Sequence, residues 1–366
     1  MDNLVFSNMM HRPARTLVSI LGIAVGVLLI VFTIGLANGT MRERATRDAN
    51  VGAEIMFRAS GTFGLQGSES FRLPIIMTAD LAKIEGVRQV VPIGQTSVQA
   101  DTNTGSRLID GVNFTEYAAM AHLKIIEGRA IGESGDEAVV DTGFQRQKKL
   151  KIGDAVNMWE RDFRIVGTYE PAAGARIKIP LATMQAQLGA ENQCTAILIS
   201  VREGFTAEQV AETIHQKFPD NQIIFTKDIE ELYMSGFPAM NVFLDVIIGV
   251  AAVISALVIL LTMYTTVTER TRQIGILKAL GMSNARIAWT IAQEAMLISF
   301  CGVAAGIVLT FLLRFALTRV TTLEVEISPL VVAITLVVGL AGGAIGALYP
   351  ALRASRLDAV EALSYE

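Results

Sequence analysis

The chain has 366 residues, of which 51% are hydrophobic and only 18% are charged, well below the roughly 25% charged content of an ordinary soluble domain. Its formal net charge of −4 and its two cysteines exclude a basic nucleic-acid-binding protein and a disulfide scaffold, and its apolar content excludes a disordered chain. The composition favours a membrane protein.

Four apolar blocks, each long enough to cross a bilayer, follow one another along the chain. The first block, 16–37, has 22 residues without a charge and as a helix would be about 33 Å long, which matches a hydrocarbon core. The other three blocks are residues 246–267, 287–313 and 330–352. We therefore predict four transmembrane helices, with an external loop at residues 314–329.

The N-terminal residues 1–15 are predicted to form a cytoplasmic amphipathic segment. Their basic side chains, the apolar run and Gly35-Leu36-Ala37 also fit a signal peptide with its cleavage site. The apolar run is longer than the roughly 7–15 residues of a signal-peptide core, which favours a retained span.

Residues 38–245 lie between the first two blocks and have the composition and length of a soluble domain. Alternating apolar residues separated by turn signals predict strands, and two amphipathic patterns predict helices. The predicted strands are 88–98, 107–112, 137–141, 155–159, 163–168 and 195–201, and the predicted helices are 78–84 and 206–218. We predict an α+β domain with a β-rich lobe at about 86–180 inserted into an α/β lobe.

The distribution of basic residues around the second block predicts the orientation in the membrane. Arg270, Arg272 and Lys278 follow this block, whereas residues 230–245 before it are acidic. Both termini are therefore expected in the cytoplasm, together with segment 268–286 and the tail 353–366. Residues 38–245 are then extracytoplasmic.

Sequence motifs of catalytic chemistry are absent from the sequence. It contains no G-x-x-x-x-G-K-[ST] loop, H-E-x-x-H, C-x-x-C or G-x-S-x-G, and His11, His122 and His215 are far apart. Residues 64–68 resemble a flexible loop more than a phosphate-binding nest. We therefore expect no catalytic residues, no metal ligands and no bound cofactor in this chain, and no nucleic-acid partner.

Small residues one helical turn apart predict close helix approach in three of the apolar blocks. They are Gly22, Gly26, Gly302, Gly306, Gly339, Gly343 and Gly346. Two interpretations remain open, packing within one chain and a subunit interface that slides or rocks.

Glu294 is a candidate buried charge, because it would lie about 10 Å into the third block. A carboxylate at that depth is expected to face the helix bundle or to find a basic partner, for which Arg15 and Arg286 are candidates. The ion pair would be structural, or it would take part in transmitting motion.

Segment 268–286 combines basic residues with an apolar stripe at helical spacing. The stripe consists of Ile274, Leu277 and Leu280, with the basic residues expected on the opposite side. Gly281 is predicted to end this helix and Ser283 to cap the next one. Such a helix could lie on the membrane surface or dock into a groove of a cytoplasmic partner.

Several segments resemble the MacB-like family of ABC transporters. Residues 269–281 with Glu294-Ala295, and the tail 350–363, are similar to its FtsX-type permease domain, and residues 12–17 with 22–26 resemble its first span. Glu127-Gly128-Arg129, Gly153-Asp154 and residues 163–167 are similar to the MacB-type periplasmic core domain.

The resemblance implies a permease subunit of the inner membrane that forms a homodimer or heterodimer and binds two copies of a cytoplasmic ABC ATPase, which uses ATP and magnesium. The implied mode is mechanotransmission, in which ATPase movement reaches the external domain through the membrane helices. The coupling helix would be 272–280, and the implied coupling residues are Arg272, Ile274, Gly275, Leu277, Lys278, Leu280 and Gly281. Further expected partners are membrane lipids and a periplasmic adaptor or membrane-fusion protein.

Two functions fit this resemblance. The first is efflux, or the export of envelope lipids, lipoproteins or peptides. The alternative is an FtsX-like signal transmitter that transports nothing and regulates an extracytoplasmic enzyme or sensor.

Overall fold

The structure, a computed structural model, describes residues 13–60, 71–99, 106–235, 238–321, 323 and 325–356. The chain divides into two compact units, Thr40–Phe237 and a unit formed by Met1–Gly39 with Pro238–Glu366. Residues 1–12 of the predicted N-terminal segment, residues 357–366 of the tail and the loop at 64–68 lie outside the described residues.

The unit formed by residues 40–237 begins with the last turns of helix α1 (Pro13–Ala49) and continues as an α+β domain. Its strands are β1 (Ile55–Arg58), β2 (Leu73–Pro74), β3 (Val87–Gln99), β4 (Ser106–Val112), β5 (Lys124–Gly128), β6 (Glu137–Asp141), β7 (Ala155–Met158), β8 (Arg161–Glu170), β9 (Ile177–Pro180), β10 (Gln193–Cys194), β11 (Ala196–Val201) and β12 (Gln222–Phe225). Its shorter helices are α2 (Met77–Leu81), α3 (Phe114–Ala121), α4 (Thr142–Lys148), α5 (Leu181–Leu188), α6 (Ala207–Lys217) and α7 (Ile229–Ser235).

Ten of the described strands form one sheet in the order β12-β1-β11-β3-β4-β9-β6-β8-β5, with β7 paired to β8. The pairs β4–β9 and β6–β8 are parallel and the other pairs are antiparallel. The strands of the predicted β-rich region occupy one end of this sheet. They are not a separate sheet, because β3 pairs with β11 over Val87–Ile93 and so continues into the remaining strands.

Both faces of this sheet are buried near β1. Ile55 and Phe57 of β1 belong to one apolar cluster, whereas Met56 between them belongs to another. Successive side chains of a strand point to opposite faces, so the uninterrupted apolar run of β1 fills two cores. Helix α6 covers the first cluster with Val210 and Ile214.

A charged pair lies in the interior of the domain. The Nζ atom of Lys178 is 3.0 Å from Oδ2 of Asp110, and both residues are almost fully buried. Asp110 also accepts hydrogen bonds from the Gln95 side chain at 3.0 Å and from the Ala175 backbone at 2.7 Å. Lys178 lies 4.6 Å from the ring centre of Tyr117. The pair joins the neighbouring strands β4 and β9 and fixes the loop before β9.

The pKa values of this pair reflect burial and mutual charge. Burial lowers the pKa of Lys178, opposed by the negative charge of Asp110. Burial alone would raise the pKa of Asp110, but the charge of Lys178 and the amide of Gln95 outweigh it, so the pKa lies below its usual value. Asp110 is therefore a carboxylate held in the interior by its partners.

Helix α1 ends inside this domain, where its last turns carry a second set of buried charges. Nη1 of Arg47 is 2.8 Å from Oδ2 of Asp141, and Nε of Arg47 donates to the Gly174 carbonyl at 2.9 Å. Tyr233 donates to Asp48 at 2.7 Å. These contacts attach residues 40–49 to β6, to the loop before β9 and to α7.

The second unit contains residues 13–39 of α1 and three further long helices. They are α8 (Pro238–Glu269), α10 (Asn284–Val320) and α11 (Pro329–Ser355), with a short helix α9 (Thr271–Ala279) between the first two. Within the described ranges, α1, α8, α10 and α11 are the four helices long and apolar enough to cross a membrane. Each extends beyond the corresponding predicted apolar block, because polar residues continue the helix at its ends.

The predicted small-residue faces pack against other helices of the same chain. A side-chain carbon placed on Gly306 would lie 2.6 Å from Cβ of Val27 in α1, and one on Gly302 would lie 2.7 Å from Cβ of Ile23. Gly22 and Gly26 face α8, Gly339 and Gly343 face α10, and Gly346 faces α8. These glycines therefore allow close packing between helices of one chain.

Candidate functional site

Helix α9 and its connections form the predicted coupling segment. At its C-terminus, the Met282 amide donates to the Leu277 carbonyl at 3.0 Å and the Gly281 amide donates to the Lys278 carbonyl at 2.9 Å. Gly281 has φ +89°. This is a Schellman motif, in which glycine takes the left-handed position after the helix. Ser283 then caps α10 by accepting from the Arg286 amide, so both predicted helix boundaries are confirmed.

The side chains of α9 are divided between an inner and an outer face. Ile274 and Gly275 are buried, and Ile274 packs with Val267 and Ile287. Leu280, in contrast, is 80% exposed. The predicted stripe is therefore split, because Ile274 and Leu280 are six residues apart and point about 120° from each other at 100° per residue.

The basic residues do not all lie opposite the apolar ones, as the sequence predicted. Lys278 is half-buried and lies one turn after Ile274 on the inner face, whereas Arg272 is exposed. The outer face presents Ile276, Leu277 and Leu280. Ile276 and Leu277 lie on the nine-residue helix and Leu280 directly follows its last residue, Ala279. Together they form an apolar surface that could take a protein partner.

A groove of about 470 Å³ lies between α9 and the adjoining ends of α8 and α10. Its apolar lining includes Met263 and Val267 from α8, Ile274 from α9 and Ile287 from α10. The size falls in the range of roughly 300–1,000 Å³ that is typical of small-molecule sites.

Glu294 lies at this groove and is buried, as its position in the sequence suggested. One partner that the structure describes is Arg270, whose Nη1 atom is 3.4 Å from Oε2 of Glu294. Arg286 was one of the two predicted partners, and its guanidinium makes no ion pair within the described residues. The side chain of Arg15, the other candidate, is outside the described residues. Arg270 and Glu294 meet because the chain reverses direction near Gly281. Arg270 lies 11 positions before Gly281 and Glu294 lies 13 positions after it.

An aromatic stack near the same helix ends was not predicted. The rings of Tyr264 in α8 and Tyr349 in α11 are nearly parallel with centroids 6.4 Å apart, and the guanidinium of Arg353 lies 4.7 Å from the Tyr264 centroid. The spacing of Tyr349 and Arg353 by one helical turn is the only sequence signal for it. The stack joins two helices that both border the α9 segment.

In the part of the chain that the structure describes, histidine, cysteine, aspartate and glutamate side chains form no group of three that could hold a metal ion. Cys194 and Cys301 are both free thiols.

Two family models match the chain. The model described as the MacB-like periplasmic core domain matches residues 16–217, more than half of the chain. The model described as the FtsX-like permease C-terminal domain matches residues 246–359, which include α9 and the groove.

Curated relatives match along almost the whole chain. The macrolide export ATP-binding/permease protein MacB of Bdellovibrio bacteriovorus is 24% identical over 99% of this chain and 61% of the relative. The pyoverdine export ATP-binding/permease protein PvdT of Pseudomonas syringae pv. tomato is 26% identical over 96% of this chain and 57% of the relative. The chain thus spans about six tenths of the length of these relatives.

Among solved structures, the periplasmic region of MacB from Actinobacillus actinomycetemcomitans matches 51% of this chain and 95% of its own, with 17% identity and a TM-score of 0.39. The two family models match residues 16–217 and 246–359, in the order that the resemblance of the sequence predicted. The chain belongs to the family of MacB-like ABC transporter permeases, with a MacB-like periplasmic core domain and an FtsX-like permease domain.

Proposed function

We propose that this chain is the membrane subunit of an ABC exporter driven by an ATPase on a separate chain. The observation that carries the proposal is the exposed apolar face of α9. Ile276, Leu277 and Leu280 are 45%, 37% and 80% exposed between two candidate membrane spans. The chain itself is then a non-catalytic subunit that binds no cofactor.

The proposed ATPase contact is this outer face together with the guanidinium of Arg272. Its anchoring on the membrane helices supports a coupling role, since Ile274 packs against Val267 of α8 and Ile287 of α10. A push on the outer face would therefore reach two membrane-spanning helices directly. We place α9 in the cytoplasm and residues 40–237 outside, because basic residues follow α8 and are sparse before it.

The proposed assembly contains two permease subunits, two ATPase subunits and an extracytoplasmic adaptor. The relatives named for macrolide and pyoverdine export support export of an amphiphilic compound from the inner membrane or the periplasm. ATP-driven closure of the ATPases would move α9, and the membrane helices would transmit this movement to the external domain.

The test is capture of the ATPase by the full-length chain in mild detergent with ATP and magnesium, quantified by mass spectrometry. Leu280→Asp should reduce recovery of a P-loop protein by at least about tenfold, because it places a charge in an apolar contact. Ile76→Asp is the matched control, since Ile76 is 78% exposed in the other unit and its replacement should leave recovery unchanged. Undiminished capture by Leu280→Asp would show that α9 is not the docking helix.

A further inference from the structure

The groove beside α9 has a charged rim that the proposed ATPase contact does not use. Arg286 of α10 borders the groove, is exposed and makes no ion pair within the described residues. Arg270 also borders it but shares its charge with Glu294 at 3.4 Å. The charged lining therefore has one guanidinium in excess, and an anion would complement it.

The floor of the groove is apolar and belongs to helices that are candidate membrane spans. Met263 and Val267 lie in the span Val242–Glu269, and Ile287 and Ile291 lie in the span Asn284–Arg319. Met263, Val267 and Ile287 are at most 5% exposed to solvent. An occupant of this floor would sit at the level of the membrane, where hydrocarbon chains are the available apolar groups.

Trp289 also lines the groove and is 64% exposed. It lies about 8 Å from the start of α10 at Asn284, at 1.5 Å per residue. Tryptophan at this depth is typical of the boundary between lipid headgroups and acyl chains. The groove thus combines an apolar floor with the indole ring of Trp289 and with the guanidinium of Arg286, which makes no ion pair within the described residues.

We propose that this groove binds an anionic phospholipid, with an acyl chain on the floor formed by Met263, Val267 and Ile287 and the phosphate group at Arg286. A segment of a soluble partner fits less well, because it would have to enter at the depth of two membrane helices. Ile276 and Leu277 of the proposed ATPase contact also line the groove, whereas Leu280 does not, so Leu280 is the position at which the two proposals are tested separately. The inference does not depend on the proposed function.

The experiment uses fluorescence of Trp289 in the full-length chain reconstituted into lipid vesicles. The sequence has two tryptophans, so Trp159→Phe leaves Trp289 as the only tryptophan in the sample. Brominated phosphatidylglycerol and brominated phosphatidylcholine are compared at matched mole fractions. Phosphatidylglycerol should reach half-maximal quenching at a mole fraction about fivefold lower, as expected for one guanidinium near an anionic headgroup, and added salt should reduce this preference.

Arg286→Gln should bring the two quenching curves together. Arg314→Gln is the matched control, because Arg314 lies near the opposite end of α10, is exposed and makes no ion pair within the described residues. It should preserve the preference. The proposal would be overturned if both lipids quenched equally in the protein that retains Arg286. It would also be overturned if the preference for phosphatidylglycerol survived Arg286→Gln.

A protein occupant has its own signature in this experiment. If the ATPase fills the groove, the purified chain shows no lipid preference, and the emission of Trp289 shifts only when the captured ATPase is added, which would also overturn the proposal. Leu280→Asp should leave the lipid preference intact even where ATPase capture is lost. Failure of one proposal is therefore distinguishable from failure of the other.

Discussion

Arg47 and Asp141 form an ion pair of 2.8 Å between the last turn of α1 and the end of β6, with both side chains at most 6% exposed. Asp141 also caps α4, because its carboxylate accepts a hydrogen bond from the Phe144 amide at 2.6 Å. Arg176 lies 3.7 Å from the same carboxylate and 2.7 Å from Glu43 of α1. The end of α1 is therefore part of the folded interior of the external domain.

Replacing Arg47 by Met should destabilise the external domain by about 3–5 kcal/mol, because it leaves the carboxylate of Asp141 buried without its main partner. The measurement is pulse proteolysis of the full-length chain in urea, with fragments of residues 40–237 identified by mass. Arg129→Gln is the control, since its pair with Glu137 is at the surface and its loss should not move the urea midpoint. Equal midpoints for both variants would contradict a stabilising role of the Arg47 pair.

Asp110→Asn should also destabilise the domain formed by residues 40–237, by about 3–5 kcal/mol, because it leaves the buried ammonium group of Lys178 without a counter-charge. The double variant Asp110→Asn with Lys178→Met should recover most of this loss, since it removes both charges. The urea midpoints of the single and double variants provide the comparison. A double variant less stable than Asp110→Asn would show that Lys178 acts mainly through its contacts with the loop before β9.

Acid should distinguish the wild type from this double variant. The pKa of Asp110 is lowered in the folded state, so its contribution is fully present above the unfolded value of about 3.9 and is lost as pH falls through the folded value. We expect the urea midpoint of the wild type to fall more steeply below about pH 4 than that of the double variant. Parallel curves over this range would assign the acid sensitivity to other carboxylates.

Gly306→Ala should disturb packing of the membrane helices, because the new carbon would lie 2.6 Å from Cβ of Val27 and 2.7 Å from the Ala24 carbonyl oxygen. The expected cost is about 1–3 kcal/mol. Gly249→Ala is the matched control, since nothing lies within 4 Å of the added carbon there. The temperature of thermal unfolding in detergent should fall for Gly306→Ala and stay unchanged for Gly249→Ala. A decrease of equal size in both variants would exclude close packing as its cause.

Cys194 should resist alkylation in the folded protein. Burial raises its pKa to about 12, so the thiolate that reacts is scarce at pH 8, and the side chain is 0% exposed. The test uses the Cys301→Ser variant and a maleimide, with and without urea. Labelling should require urea, and fast labelling without it would mean that the segment around β10 opens readily.

Local patterns predicted those elements whose signals lie within a few residues. The strand at 137–141 has the predicted bounds as β6, and the helix at 206–218 is α6, capped by reciprocal hydrogen bonds between Thr206 and Gln209. Strand β9 was missed, because its sequence contains Lys178 between apolar residues. A lysine is buried there only because Asp110, 68 positions earlier, supplies the counter-charge, and no local pattern contains that information.

The candidate site was predicted only in part, because some of its features depend on local sequence and others on contacts between distant residues. The boundaries of α9 follow from Gly281 and Ser283, whose roles depend on local backbone geometry. Which side of α9 is buried depends on Val267 and Ile287, which flank the helix in sequence and meet it only after the chain reverses. The pairing of Arg270 with Glu294 is likewise a product of that reversal.

The strand order has a consequence for how the protein is made. β1 takes its neighbours from β11 and β12, so Ile55 pairs with Ile199 and with Phe225. The earliest strand of the external domain must therefore wait for about 170 further residues to be synthesised before its two edges are covered. Such non-local pairing folds slowly and leaves an unpaired apolar strand exposed in the meantime. A nascent chain that stops after residue 217 would contain all the residues of the matched periplasmic core domain and still lack the strand that completes its sheet.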